Sequence, residues 1–325
     1  MSQDVFFTAA IRTYNAENHI ATILDRLKAQ EQVQSMRWEI LVVDNNSTDN
    51  TLDIVSHYQA NWPASIPLRC VKETKQGASY ARRRAIQEAH GQWIGFLDDD
   101  TWPTATWVAA IGTFAQNYPR AGAFNGNIHG RFEGTPPKGF KKIAPFFAVI
   151  ERGTKTAYCI NEQAKAHKVV MPPGAGLVVR RQAWLESVPA SLVLKGPIGS
   201  TLSAKGEDME ALMYLSRQHW EIWFNPEQNI EHYIPQSRFE LNYLLRFFRG
   251  IGLGKYRTRI LAYQSWYGFL MLPFYFANDL RKFIVFWLRH RQELRQDVVL
   301  AGQMQMLLYT LVSPFYLASN MLKGS

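Results

Sequence analysis

Three consecutive carboxylates, Asp98, Asp99 and Asp100, follow the apolar run 93–97. Adjacent carboxylates repel one another unless a cation or solvent offsets them. A hard divalent ion bridging to a diphosphate would do so, and Mn2+ or Mg2+ suits oxygen ligands of this kind. A helix cap is the competing reading, since Thr101 and Pro103 suit a helix start. His232, flanked by Glu231 and Tyr233, is a further candidate ligand for metal or phosphate, against the commoner structural role of a lone histidine.

Asp208, beside Glu207, stands at an expected helix start, where the positive end of the helix dipole favours an ionised carboxylate. Such a group can take the proton of an attacking hydroxyl, although a capping pair is the plainer alternative. Asp44 ends the run 41–43, where its carboxylate can hold a base or ribose. Asn46 competes for another contact, while Asp49, with Ser47 and Thr48, reads as the cap of a helix starting near Asn50. Lys75, Gly77, Arg82, Arg83 and Arg84 lie between the second and third acidic clusters. The guanidinium fork suits phosphate oxygens. Successive helical residues point about 100° apart, so one or two of the three arginines can face a common site.

The elements that position these groups alternate: strand 5–11, helix 17–30, strand 38–43, helix 50–58, strand 68–71, helix 78–89, strand 93–97. That order predicts an α/β fold with a Rossmann-like, mostly parallel sheet flanked by helices. Ligands in such sheets sit beyond the carboxyl ends of the strands. Thr13-Tyr14-Asn15, Asp44-Asn45-Asn46 and Asp98-Asp99-Asp100 each follow a strand, so the three clusters are expected to meet at one crevice. Residues 122–168, with Gly134, Pro136, Pro137 and Gly139, read as a long loop or small insertion. Pro172-Pro173-Gly174-Ala175-Gly176 opens a strand at 177–180 and a helix near Gln182, and Leu212 and Leu215 mark another helix after Gly206.

With 325 residues, 47% of them hydrophobic and 19% charged, the chain has the composition of a globular protein. Its net charge of +9 favours anionic partners, and the positive charge concentrates between Arg238 and Arg295. No recognised nucleic-acid module accompanies it, so nucleic acid is not an expected partner. Cys70 and Cys159 have neither metal-site nor disulfide-scaffold spacing, and no signal-like segment opens the sequence. A cytoplasmic setting follows as the expectation. Beyond residue 240 the chain turns aromatic, leucine-rich and arginine-rich. Residues 266–277 are short of a bilayer span, and 304–322 carry Gln305, Pro314, Ser319 and Asn320. Peripheral attachment to a membrane surface, on the inner face of the plasma membrane, is the expectation. A helical subdomain folded back on the first domain, or a dimer contact, is its alternative.

Taken in order, Thr13-Tyr14-Asn15, residues 43–49, Gly77 with Ala81-Arg82, residues 96–100 and Gly206-Glu207-Asp208 resemble the motifs of family 2 glycosyltransferases over about residues 5–235. The closest likeness is to the cyanobacterial hormogonium polysaccharide biosynthesis glycosyltransferases, through residues 172–180 and 221–223. The resemblance implies a glycosyltransferase A fold over residues 1–238, a helical extension over 239–325, a nucleotide-diphosphate sugar donor, a glycan or lipid-linked acceptor, a divalent cation and inversion at the anomeric carbon. It implies donor binding by Thr13, Tyr14, Asn15, Asp44, Asn46, Lys75, Gly77, Arg82, Asp98 and Asp99. Metal ligation would fall to Asp98, Asp100 and His232, an acceptor side to Gly174, Ala175, Gly176 and Glu207, and the base to Asp208. Asn45 and Asn46 stand where relatives often have an acid or glycine, and Arg83 where they often have asparagine. A nucleotidyltransferase and a noncatalytic scaffold with a degenerate nucleotide site are the alternatives.

Overall fold

The computed structural model describes residues 5–33, 36–160, 171–196, 198, 204–262 and 267–323. Strands β1 (Phe7–Thr13), β2 (Trp38–Asp44), β3 (Leu68–Lys72) and β4 (Trp93–Asp98) pair in parallel, with β1 between β2 and β4. Their registers set Thr13 beside Asp44 and Arg12 beside Asp98, so the polar residues that end the strands gather at one end of the sheet. Every residue of β1 and β2 is buried, as expected of parallel strands covered on both faces.

The two faces carry different helices. Phe7, Ala9, Ile11, Ile40 and Val42 meet α1 (Ile20–Lys28), α2 (Thr51–Ala60) and α4 (Trp107–Asn117). Ala10, Leu41, Val43, Ile94 and Phe96 meet α3 (Ala78–Glu88), α5 (Arg181–Ser187) and α6 (Glu207–Arg217). In α1 the buried residues are Ile20, Ile23, Leu24 and Leu27, an apolar stripe at helical spacing. Burying each such side chain stabilises the fold by roughly 1.5–3 kcal/mol.

The rest of the sheet is mixed. Its order is β3-β2-β1-β4-β8-β6-β9-β5, with β7 also paired to β9. Here β5 is Thr101–Pro103, β6 Ala121–Phe132, β7 Ala157–Ile160, β8 Val178–Arg180 and β9 Glu221–Ile234. β8 runs antiparallel to β4 and β6, β5 and β7 run antiparallel to β9, and β6 and β9 are parallel. The parallel character expected from the sequence therefore belongs to β1–β4. The stretch 122–168 is not a loop throughout: it opens with most of β6, which enters the core. Residues 161–170 lie outside those described.

Four helices follow: α7 (Leu241–Leu261), α8 (Tyr267–Leu270), α9 (Leu272–His290) and α10 (Val298–Lys323). Phe140, Ile143 and Phe147, from two short 3-10 turns, pack with Ile234, Phe239, Leu244, Phe247, Phe248 and Val299 in a third core. α10 lies along α7, where Ser313 Oγ donates to the Leu253 carbonyl at 2.6 Å and accepts from the Tyr256 N–H at 3.2 Å. On the side of α7 that faces α6, the Lys205 N–H donates to the Gly250 carbonyl at 3.0 Å. A Cβ on Gly254 would run into the Lys205 carbonyl, so this helix can approach so closely only with glycine there. α9 joins α7 through Asp279, which pairs with Arg259. Among the described residues, one helix segment, Val298–Ser319, is long and apolar enough to cross a membrane.

Candidate active site

A cavity of about 640 Å³ opens at the strand ends. Of the residues singled out in the sequence, Thr13, Tyr14, Arg82, Asp98, Asp99, Asp100, Gly174, Ala175, Glu207, Asp208 and His232 line it. Arg12, Asn45, Gln76, Lys205, Arg238 and, from α7, Tyr243, Phe247, Lys255 and Thr258 line it as well.

The three aspartates are sorted by their neighbours. Asp98 pairs with Arg12. Asp99 accepts from the Tyr14 N–H at 3.5 Å, and burial, with Asp100 and Asp98 beside it, pushes its carboxyl above the usual range. Burial would raise Asp100 too. The Arg238 guanidinium, donating at 2.6 Å, and His232, 3.4 Å away, overcome it and hold Asp100 well below the usual carboxylate range. His232 Nδ1 donates to the Phe147 carbonyl at 2.7 Å, which turns Nε2 towards Asp100 and Arg238.

This geometry bears on cation binding. Among the described residues no three of His, Cys, Asp and Glu stand together as a ready-made metal cage, and Asp98 turns to Arg12 rather than to His232. Asp100 and His232 do present one carboxylate and one ring nitrogen at the same point. That donor set, completed by substrate phosphates and water, suits Mn2+ or Mg2+ only when Arg238, whose guanidinium lies 2.6 Å from Asp100 and 3.3 Å from His232 Nε2, turns aside.

Across the cavity, α6 begins with two acids that face different ways. Glu207 is buried and lies 3.6 Å from Arg82. Asp208 is half-buried and accepts from the Gly174 N–H at 2.6 Å. A Cβ on Gly174 would stand 2.5 Å from Arg82 Nη2 and 3.1 Å from Asp208 Oδ2, so the glycine lets the 172–176 turn close over both groups. Arg82 is 2% exposed, rests on the Phe96 ring and makes no hydrogen bond through Nε or Nη1. Burial, with Arg12 nearby, pulls its pKa down. A buried guanidinium with spare donors is a strong attractor for phosphate oxygens. Of its neighbours on α3, Arg83 is exposed and Arg84 pairs with Glu88 at 3.0 Å, so a single arginine of the three serves the cavity.

Asn15, Asp44, Asn46, Lys75, Gly77 and Gly176 stand behind or beside the cavity wall. Asp44 is fully buried; one carboxylate oxygen accepts from the Ser47 N–H at 3.2 Å, and the other has no hydrogen-bond partner. Asn46 donates to the Thr74 carbonyl at 2.8 Å. Asn45, given no role of its own by the sequence, donates to the Glu73 and Lys75 carbonyls and accepts from the Gly77 N–H at 2.7 Å. It thereby fixes the loop carrying Lys75, whose ammonium lies over the Tyr80 ring. Asn15 accepts from the Thr48 N–H at 2.8 Å. Asp49 accepts from Thr51 and from the Glu17 N–H, which bears out its structural reading. Gly176 has φ +71° and is pressed against Ile230.

The cations missed in the sequence are Arg12, Lys205 and Arg238. Arg12 had a signal, as a lone charge in an otherwise apolar strand directly before Thr13. Arg238 reads in sequence as the first charge of the basic tail, although it faces Asp100.

Comparison with known proteins bears on this arrangement. The model of the family described as "Glycosyl transferase family 2" matches residues 8–184, more than half of the chain. The uncharacterized glycosyltransferase YibD of Escherichia coli K12 is 33% identical over 96 residues, 29% of this chain and 26% of YibD. The poly(ribitol-phosphate) β-N-acetylglucosaminyltransferase TarS of Staphylococcus aureus is 27% identical over 141 residues, 43% of this chain and 24% of TarS. The chain thus spans about a quarter of the length of these relatives. Among solved structures, the mannosyltransferase PcManGT of Pyrobaculum calidifontis, in complex with GDP-Man and Mn2+, superposes with TM-score 0.60 at 16% identity, covering 100% of this chain and 89% of that one. That likeness shows a shared fold, the glycosyltransferase A fold. From the match of residues 8–184, the chain belongs to glycosyltransferase family 2.

Proposed function

We propose that the chain is a cation-dependent, inverting glycosyltransferase. It moves a sugar from a nucleotide-diphosphate donor to a glycan or lipid-linked acceptor in polysaccharide biosynthesis, at the inner face of the plasma membrane. The observation that carries the reading is the single cavity shared by Asp208, the aspartate triplet and the buried Arg82. The names of relatives and neighbours, with UDP-GlcNAc in one TarS structure and GDP-Man in PcManGT, support a nucleotide-sugar donor. The name of TarS, a poly(ribitol-phosphate) β-N-acetylglucosaminyltransferase, supports a polymer as acceptor.

In this reading Arg82 and Lys205 hold the diphosphate, while Asp44, fully buried behind the cavity wall, shapes the site without touching the base. Asp100 and His232 would hold the cation, which when bound neutralises charge on the leaving diphosphate. Asp208 takes the proton of the acceptor hydroxyl while that oxygen bonds to the anomeric carbon. The bond from this carbon to the diphosphate oxygen breaks, and its electron pair leaves with the nucleoside diphosphate. One in-line displacement inverts the centre.

The test is a panel of sugar nucleotides with Mn2+. Release of nucleoside diphosphate is expected. Asp208→Asn should lower kcat by roughly 10²–10⁴-fold while keeping the donor-induced rise in melting temperature. An unchanged rate removes Asp208 as base, release of pyrophosphate points to a nucleotidyltransferase, and no donor binding with Mn2+ leaves a scaffold.

A further inference from the structure

The structure carries a second, basic groove away from the cavity just described. It measures about 280 Å³, lies between α9 and α10, and is lined by Arg281, Lys282, Arg289 and His290 with Leu307 of α10. Arg281, Arg289 and Val285 between them are spaced four apart, so they share one stripe of α9. Beside this stripe α9 turns a bulky apolar ridge to solvent. Phe274 is 69% and Leu288 56% exposed, and Ile284 and Trp287 are exposed with them. Phe315 of α10 is 67% exposed. The sole acid of α9, Asp279, is buried and paired with Arg259, so the outer surface of the helix is cationic and apolar, with Glu293, 3.9 Å from His290 at the end of the groove, as its nearest acid.

We propose that α9 lies in the headgroup plane of an anionic bilayer, with the ridge around Phe274 and Leu288 in the acyl boundary and a lipid phosphate seated in the Arg281–Arg289 groove. The inference deepens the membrane part of the proposed function and rests on it. Charge selects the occupant. A second copy docked symmetrically through this face would set Arg281, Lys282 and Arg289 against their own copies with only Glu293, at the end of the groove, to offset them. An anionic lipid surface matches the charge and the apolar ridge together. The placement also serves the reaction. Asp279 ties α9 to Arg259 of α7, and α7 lends Lys255 and Thr258 to the cavity wall, so a lipid-linked acceptor at the bilayer surface would lie one helix from the reacting groups.

The experiment is co-sedimentation of the full chain with phosphatidylcholine vesicles and with vesicles of equal parts phosphatidylcholine and phosphatidylglycerol. The wild type should bind the anionic vesicles preferentially. Arg281→Gln with Arg289→Gln should lower that partition roughly thirtyfold without moving the melting temperature. Phe274→Ser with Leu288→Ser should abolish binding. Quenching of Trp287 fluorescence by brominated lipid, lost in Trp287→Phe, should report insertion of the ridge. Failure to bind either vesicle overturns the membrane reading and the groove together. Binding that ignores phosphatidylglycerol, or survives the double glutamine variant, overturns the groove alone. Release from the vesicles by inorganic phosphate at matched phosphate concentration makes the groove a free-anion site. A solution dimer lost on Phe274→Ser would assign the ridge to a second copy. Sugar-nucleotide turnover in solution is read separately and tests the catalytic reading by itself.

Discussion

Glu207 and Asp208 are the same kind of group one residue apart, and their surroundings give them different work. Glu207 is buried against Arg82 and holds a cation in place. Asp208 is half-buried, oriented by the Gly174 N–H, and open to the cavity. Just before them, burial beside Phe247 lowers Lys205 from 10.5 to about 8, against the pull of Glu207 and with the push of Arg238. The sign of the consequence follows from linkage. Between about pH 8 and 10.5 the unfolded chain keeps a proton that the folded chain has lost, so the folded state gains stability as pH rises through that window. Lys205→Met removes the titration. Its melting temperature should therefore exceed that of the wild type below pH 8, and the gap should close towards pH 10.5. Parallel melting curves for the two proteins would show that Lys205 keeps an ordinary pKa. At this scale the acids were legible because three aspartates at a strand end are conspicuous in any reading. The cations were not. Whether an arginine faces solvent or a carboxylate depends on which strand lies opposite, and Arg238 meets Asp100 only because β5 and β9 pair side by side.

Elements built on a regular period were readable, and those whose period is broken by buried polar residues were not. β1, β2 and β4 are near-continuous apolar runs. β6 and β9 carry Asn125, Asn127, Asn225 and Gln228, all buried; β6 reads as loop in sequence, and β9 gives no strand signal strong enough to place it. Most of their amide groups bond to backbone: Asn125 donates to the Pro173 and Ala175 carbonyls at 2.9 and 2.8 Å, Asn127 to the Pro226 carbonyl at 3.1 Å, and Gln228 to the Gly176 carbonyl, although Gln228 Oε1 has no hydrogen-bond partner. Asn125 and Asn127 thus bring loops onto the sheet, and Asn225 ties α4 to it through the Ala110 carbonyl, at little cost because the hydrogen bonds are made. Among the helices, α9 is fastened by one buried ion pair. Arg259 Nη2 lies 3.0 Å from Asp279, which also accepts from the Tyr256 hydroxyl at 3.4 Å. Removing one partner of such a pair leaves an uncompensated charge and costs about 3–5 kcal/mol. Asp279→Ala should show that loss in denaturant unfolding. Asp279→Leu combined with Arg259→Met should recover most of it. A cost below about 1 kcal/mol, the level of an exposed pair, would mean that α9 is held by apolar packing alone.

Composition shifts near residue 240, close to where α7 starts at Leu241. The change in sequence character is not a break in packing. Ile234 of β9 and Phe140 and Phe147 from the 3-10 turns are buried in the same core as Phe239, Leu244, Phe247 and Phe248. One face of α7 completes the active-site cavity through Tyr243, Phe247, Lys255 and Thr258, while another is filled by α10 through Ser313 and the closely approached Gly252. A chain ending at residue 238 would therefore expose several large apolar side chains, each of which forfeits roughly 1.5–3 kcal/mol of burial. It would also lose the cavity wall opposite the aspartates. Such a truncation should be poorly soluble, bind hydrophobic dye, and show no rise in melting temperature with nucleoside diphosphate and Mn2+. A chain ending at residue 262 keeps α7 but leaves its α10 face bare, and should retain some ligand-dependent stabilisation while melting earlier than the full chain. If the chain ending at residue 238 proved soluble, cooperative in melting and responsive to nucleoside diphosphate, the cavity would be complete without α7 and the extension would be an appendage.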